Sequence, residues 1–181
     1  SLGPEFIAQG MQIRINQNNR DNKADALVAL DQLEETFPNL EWVALVVTWF
    51  GDDLDAGQCT IQPGVEYKTG ATTSPETWNS AGFTRDTARQ ITLDGNGNPV
   101  YGGTPDDESV LRLLQELNTR GYNVLFYPLF FMDVPNKPWR GRMTGSPSDV
   151  SNFFTKANGY NAFITHYADL VKDDVDAFVI G

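Results

Sequence analysis

The chain has 181 residues, near the usual size of one domain, and its 40% hydrophobic and 12% aromatic content suffices for a core and argues against wholesale disorder. Twenty-four acidic against thirteen basic residues give a formal net charge of −11, which phosphate backbones and anionic lipid repel, so a nucleic-acid or membrane-surface role is disfavoured. A single cysteine, Cys59, and a single histidine, His166, exclude an internal disulfide framework, a multi-thiolate metal cage and any site needing two imidazoles. The longest apolar stretches, 42–47 and 124–132, are too short to span a bilayer. Residues 1–6 (Ser-Leu-Gly-Pro-Glu-Phe) read as a vector-derived remnant, and no secretory-signal pattern opens the chain.

Residues 7–39 form an N-terminal segment and a first helix. Asp21 can cap that helix, whose Leu27, Leu30, Leu33 and Phe37 recur at helical spacing before Pro38 and Asn39 end it. Residues 42–50 are a continuous apolar, β-branched run bounded by Gly51, the pattern of a strand buried on both faces as in a helix-covered parallel sheet. Residues 51–103 are rich in Gly, Thr, Ser and Asp. They read as a large functional loop with a β-ribbon, in which 90–93 and 99–101 flank the turn Asp94-Gly95-Asn96-Gly97-Asn98.

A second helix is predicted from Thr104 as N-cap, Pro105 at the first position and Asp107 in the reciprocal capping place, with Val110, Leu111, Leu114 and Leu117 as its stripe and Gly121 as its stop. Residues 122–132 make a second buried strand that Pro128 is expected to bend near its end. Ser146, Pro147 and Asp149 start a short helix reaching about Ala157, and Asn158-Gly159 breaks it. Tyr160, Phe163, Ile164, Tyr167, Leu170 and Val171 give the clearest helical stripe, and 176–181 begins a third buried strand. Three strands with βα crossovers fall short of the eight strands and about 250 residues of a closed barrel. The pattern is α/β and reads as the front part of a larger domain, whose uncovered strand edges would invite self-association.

In βα folds the loops after strand C-termini carry function. The first such loop opens Trp49-Phe50-Gly51-Asp52-Asp53-Leu54-Asp55, where carboxylates could bind sugar hydroxyls, hold a cation or act as acid and base; the alternative is a solvated turn. The second holds Asp133, then Trp139, Arg140 and Arg142: a stacking face and two bidentate donors that suit a carbohydrate or carboxylate ligand, with Asp133 the best single catalytic candidate. The alternative is that Asp133 caps a turn and Trp139 packs the loop down. Asp94, Asn96 and Asn98 imitate a calcium loop, but Pro99 and Pro105 stand at its sixth and twelfth positions, so a turn is expected and no metal site. Cys59 reads as an incidental thiol and His166 as structural. The sequence holds no phosphate loop, nucleophile elbow or metal-binding helix pair, and no cofactor is expected.

The blocks 49–54, Cys59-Thr60-Ile61 and Pro63-Gly64-Val65-Glu66 resemble the opening of the TIM-barrel-like domain of gene transfer agents and related phage tail proteins. His166-Tyr167-Ala168-Asp169-Leu170 with Asp176-Ala177-Phe178-Val179-Ile180-Gly181 resembles a second block of that family, and residues 137–142 also fit. The similarity runs from about Leu40 to Gly181. It implies the N-terminal portion of a (β/α)8 barrel like that of glycoside hydrolases, in a tail-tip or baseplate-hub protein made in the bacterial cytoplasm and carried in the particle's tail. It also implies other tail-tip proteins and host envelope polysaccharide as partners. In retaining hydrolases of this barrel type the proton donor is a Glu ending the fourth strand, and the second carboxylate comes from a later strand. Neither lies within these residues, so this stretch alone is not expected to hydrolyse glycosides. Three hypotheses therefore stand: a structural or host-recognition barrel, part of a glycosidase acting on cell-wall or capsular polysaccharide, and a doubly wound α/β domain binding a small ligand.

Overall fold

A computed structural model describes residues 24–69 and 77–181. In chain order the elements are α1 (Asp25–Thr36), β1 (Trp42–Gly51), β2 (Ile61–Gln62), β3 (Gly64–Val65), β4 (Asn79–Ser80), β5 (Phe83–Thr84), β6 (Arg89–Gln90), α2 (Asp107–Thr119) and β7 (Asn123–Met132). A 3-10 turn (Arg140–Arg142), α3 (Pro147–Thr155), α4 (Tyr160–Val171) and β8 (Ala177–Phe178) follow. The described residues form a mixed α/β fold around one four-stranded sheet in the order β2-β1-β7-β8, and they contain no closed barrel. β1, β7 and β8 run parallel, whereas β2 folds back antiparallel on the last two residues of β1.

β1 and β7 pair in register over their full ten residues, from Trp42 opposite Asn123 to Gly51 opposite Met132. That register puts Val43, Leu45, Val47 and Trp49 beside Val124, Phe126, Pro128 and Phe130 on one face, where the helices cover them; Leu113, Leu117, Phe163 and Tyr167 complete this core. The other face carries Ala44, Val46, Leu125, Tyr127 and Leu129, all only half-buried. The expectation of strands buried on both faces holds for residues 47–51 of β1, which are all buried, and not for the rest of β1 or for β7. Among the described residues a helical layer lies on one side only, and the alternation along β7 records it.

Pro128 does not bend the strand, and the ladder runs past it to Met132. The carbonyls of Val124 and Phe126 accept from Asp176 and Val179 on the β8 side. Even-numbered residues of β7 thus present their backbone away from β1, so the missing N–H of Pro128 leaves the β1 ladder intact. The third strand shrinks to Ala177–Phe178, with Ile180 already 72% exposed.

The described residues of 51–103 form two-residue strands in separate pairs rather than one β-ribbon within a loop. Arg89 and Gln90 pair in parallel with Gly64 and Val65 rather than across the predicted hairpin, which survives as one bridge, Leu93 to Pro99. Its turn does close: Asp94 Oδ1 accepts from Asn96 N and Asn98 N, and these bonds hold the Asp94 carboxyl below its ordinary range. The region packs its own small core of Val65, Trp78 and Ala88 and covers the C-terminal end of the open sheet face. There Phe50 meets the Tyr101 ring at 5.6 Å, and a Cβ on Gly64 would come within 2.5 Å of the Phe50 ring.

Two capping expectations change. Asp21 lies outside the described residues, and α1 begins after Ala24 with no side-chain cap. The cap of α2 is Asp106, which accepts from Ser109 N and Ser109 Oγ. Thr104 is drawn instead into a buried stitch: its hydroxyl donates to Thr48 O at 2.6 Å and accepts from Gly64 N, while its carbonyl accepts from Trp78 Nε1. The Ser146–Asp149 capping box forms as the sequence indicates.

Candidate functional site

Both loops singled out in the sequence leave the C-terminal ends of β1 and β7, and their carboxylates are engaged with backbone. Asp52 accepts from Thr60 N at 2.6 Å and Thr60 Oγ1 at 2.5 Å, pinning the far end of its loop. Asp53 Oδ1 accepts from Asp55 N, and Asp55 Oδ1 in turn from Gly57 N. These are the short-range bonds by which Asp builds turns. No cluster of three His, Cys, Asp or Glu that could hold a metal ion occurs among the described residues.

Asp133 is buried, and its Oδ2 accepts from Arg89 Nε at 2.8 Å. Arg89 also donates through Nη2 to the Asp133 carbonyl at 2.7 Å, and Thr92 N lies at 3.2 and 3.3 Å from the two carboxylate oxygens. This bidentate clamp ties the β6 segment to the end of β7. Arg89 is the partner that sequence reading missed, because the two residues are 44 apart and only the parallel β3–β6 pairing aims one at the other.

Trp49 lies on the helix side of β1 at 4% exposure, with its Nε1 donating to the Tyr167 hydroxyl at 2.9 Å. It is a core residue. Burial pushes the Tyr167 hydroxyl far above the ordinary tyrosine range. His166 sits against the Trp49 ring, and its Nε2 pairs with Asp107 Oδ1 at 3.1 Å, joining α4 to the first turn of α2. Beside this pair a surface cavity of about 420 Å³ is walled by Phe83, Asn158, Thr165 and Asp169. Cys59 is buried, and desolvation raises its thiol pKa.

Trp139 and Arg140 are arranged differently. The 3-10 turn leaves the Trp139 indole 68% exposed, yet the ring lies over Gly141 so closely that a Cβ there would sit 2.5 Å from its atoms. Arg140 places its guanidinium 5.9 Å from the Phe130 ring centroid. Together they rim a cavity of about 280 Å³ whose walls come from β7 (Tyr127, Phe130), α3 (Phe153, Phe154) and α4 (Tyr160). Arg142 stands exposed on the same turn. Of the residues expected to share a site, the structure thus gathers Trp139 and Arg140 at a cavity, with Arg142 two residues beyond Arg140. Asp133, Asp52, Asp53 and Trp49 each have separate structural partners.

The aromatic wall was not foreseen. In sequence Tyr160 read as part of a core stripe and Phe154 carried no signal; their convergence depends on how α3 and α4 cross, with Tyr160 meeting Phe153 and Phe154 at 6.1 and 5.4 Å. No family model matches this chain, and no curated protein matches it.

Proposed function

We infer that the chain is a portion of a TIM-barrel-like domain from the tail tip of a phage-like particle, and that its role is recognition of host-envelope saccharide rather than hydrolysis. The tail-tip part of this reading rests on the sequence resemblance alone; the barrel part is supported also by the parallel β1–β7–β8 strip with helices along one face, a layout that a βα barrel repeats around its axis. The observation that carries the recognition role is the exposed, backbone-braced Trp139 with Arg140 at the rim of an aromatic cavity after a strand C-terminus. An aromatic face stacks on the C–H face of a pyranose, and a guanidinium supplies paired donors. Recognition is preferred over hydrolysis because Asp52 and Asp133 use both carboxylate oxygens, and Asp53 one of its two, in structural hydrogen bonds. A hydrolase needs two carboxyl groups facing each other across the scissile bond.

The test is to incubate host envelope polysaccharide with the protein and measure bound protein and released reducing ends together. Retained binding without release is the expected result. Release abolished by Asp133→Asn in a folded variant would make the protein a hydrolase instead, and absence of both would remove the saccharide role.

A further inference from the structure

The geometry points to an acidic saccharide as the ligand of the Trp139–Arg140 cavity, read as a sugar ring stacked on the indole with its carboxylate held by Arg140. This deepens the recognition role proposed above and rests on it.

The charge pattern carries the argument. In a chain with 24 acidic and 13 basic residues, a basic side chain has an excess of carboxylates to choose from. Of the other described basic residues, Arg89 holds Asp133 and Arg120 is shared among Asp31, Glu34 and Glu116, whereas Arg85, Lys68, Lys137 and Lys156 donate to backbone carbonyls. Arg140 and Arg142, two residues apart on one tight turn, have no carboxylate partner among the described residues. The guanidinium of Arg140 instead faces aromatic rings, contacting Phe130 and bearing on the Tyr160 phenol, whose own pKa is raised chiefly by burial. What sets Arg140 apart from the other cations without a carboxylate is its place: it stands at the rim of an aromatic cavity beside the exposed Trp139, where an anion from outside fits.

The remaining walls narrow the class. Phe130, Phe153, Phe154 and Tyr160 make the cavity largely apolar, so a heavily hydrated phosphate finds few donors there. A net charge of −11 also opposes a densely anionic ligand. What matches is an isolated carboxylate on a ring with an apolar face, as in a uronic acid. Gly141 sets the platform: with only a hydrogen at that position, the indole lies flat against the backbone with most of its surface open. Little side-chain freedom is then lost when a ligand stacks on it.

The probes are a glucuronic-acid-terminated oligosaccharide and its glucose-terminated counterpart, which differ by a carboxylate in place of a hydroxymethyl group, titrated into the protein by calorimetry. The acidic sugar is expected to bind about tenfold more tightly, a preference that Arg140→Gln removes while leaving neutral-sugar binding in place. Gly141→Ala, which keeps both arginines and lifts the indole, is expected to weaken both sugars. Unfolding midpoints of the two variants serve as the folding control, since both changes lie on the exposed turn. Equal binding of the two sugars, unaffected by Arg140→Gln, would overturn the acidic class and leave saccharide recognition standing. Binding of neither sugar would overturn both. Tighter binding of a glutamate-rich peptide than of the acidic sugar would overturn the saccharide assignment in favour of a protein partner.

Discussion

At the scale of single residues, a side chain's role followed from what had already claimed its polar atoms. Asp133 sits at a strand C-terminus, where sequence reasoning looks for catalysis, yet its carboxylate is committed to Arg89 and Thr92. Removing one member of a buried, hydrogen-bonded ion pair is costly because the other is left unmatched. Arg89 keeps 25% of its side chain in contact with solvent and can rehydrate in part. Asp133→Ala is therefore expected to cost about 2–3 kcal/mol in urea unfolding, below the value for fully buried pairs. A loss under about 0.5 kcal/mol, the range of ordinary surface substitutions, would show that the clamp is not structural and return Asp133 to the list of catalytic candidates. Tyrosines add a pH dependence of definite sign. Burial raises the pKa of Tyr101, Tyr122, Tyr160 and Tyr167, most strongly for Tyr167. The folded chain holds these protons to higher pH than the unfolded chain, so their stabilising contribution is complete below pH ~10 and declines as the pH rises through the folded values. Chemical denaturation between pH 8 and 11 checks this, and stability constant across that range would refute it.

At the scale of elements, the sequence was legible wherever an element's determinants are local. The apolar runs of β1 and β7, the capping box of α3 and the apolar stripe of α4 are all local, and these elements form close to where the pattern puts them. Two misreadings share one cause. Thr104 and Asp106 are both good caps, and the choice fell to Asp106 because Thr104 is needed by Thr48 and Gly64, 56 and 40 residues away. Gln90 and Ile91 were assigned to a hairpin by their distance from the turn, but Pro63 O and Val65 O take the Arg89 and Ile91 amides and draw this segment to β3. In each case a partner remote in sequence outbid a local preference, as tertiary context does where local signals are weak. The candidate site was half visible for the same reason. Trp139, Arg140 and Gly141 are neighbours in sequence, whereas Tyr160 and Phe154 reach them only through the packing of α3 on α4.

At the scale of the whole molecule, the described residues leave one face of the main sheet without a covering layer. Ala44, Val46, Leu125, Tyr127 and Leu129 lie there half-buried, with Phe131 37% exposed at its end and Trp42 49% exposed at its start. Among the described residues only the C-terminal end of the face is roofed, where Tyr101 of the 51–103 region packs on Phe50 and Phe131. A continuous apolar strip of this kind favours association. Against it stand the loss of translational and rotational freedom, about 4–15 kcal/mol, and the repulsion of two molecules each carrying −11. Apolar burial must outweigh both terms, and of the two only the charge repulsion responds strongly to salt. Screening shortens from about 30 Å at 0.01 M to 8 Å at 0.15 M ionic strength and removes most of the repulsion while leaving the apolar term intact. Sedimentation velocity is accordingly expected to show monomer at low ionic strength and larger species at 0.15 M and above, the reverse of an interface held by ion pairs. Leu129→Glu, whose side chain is half-buried on the open face and can turn its charge to water, is expected to keep the chain monomeric at both. A monomer at every salt concentration, or association that salt weakens, would mean that the open face is not what brings copies together.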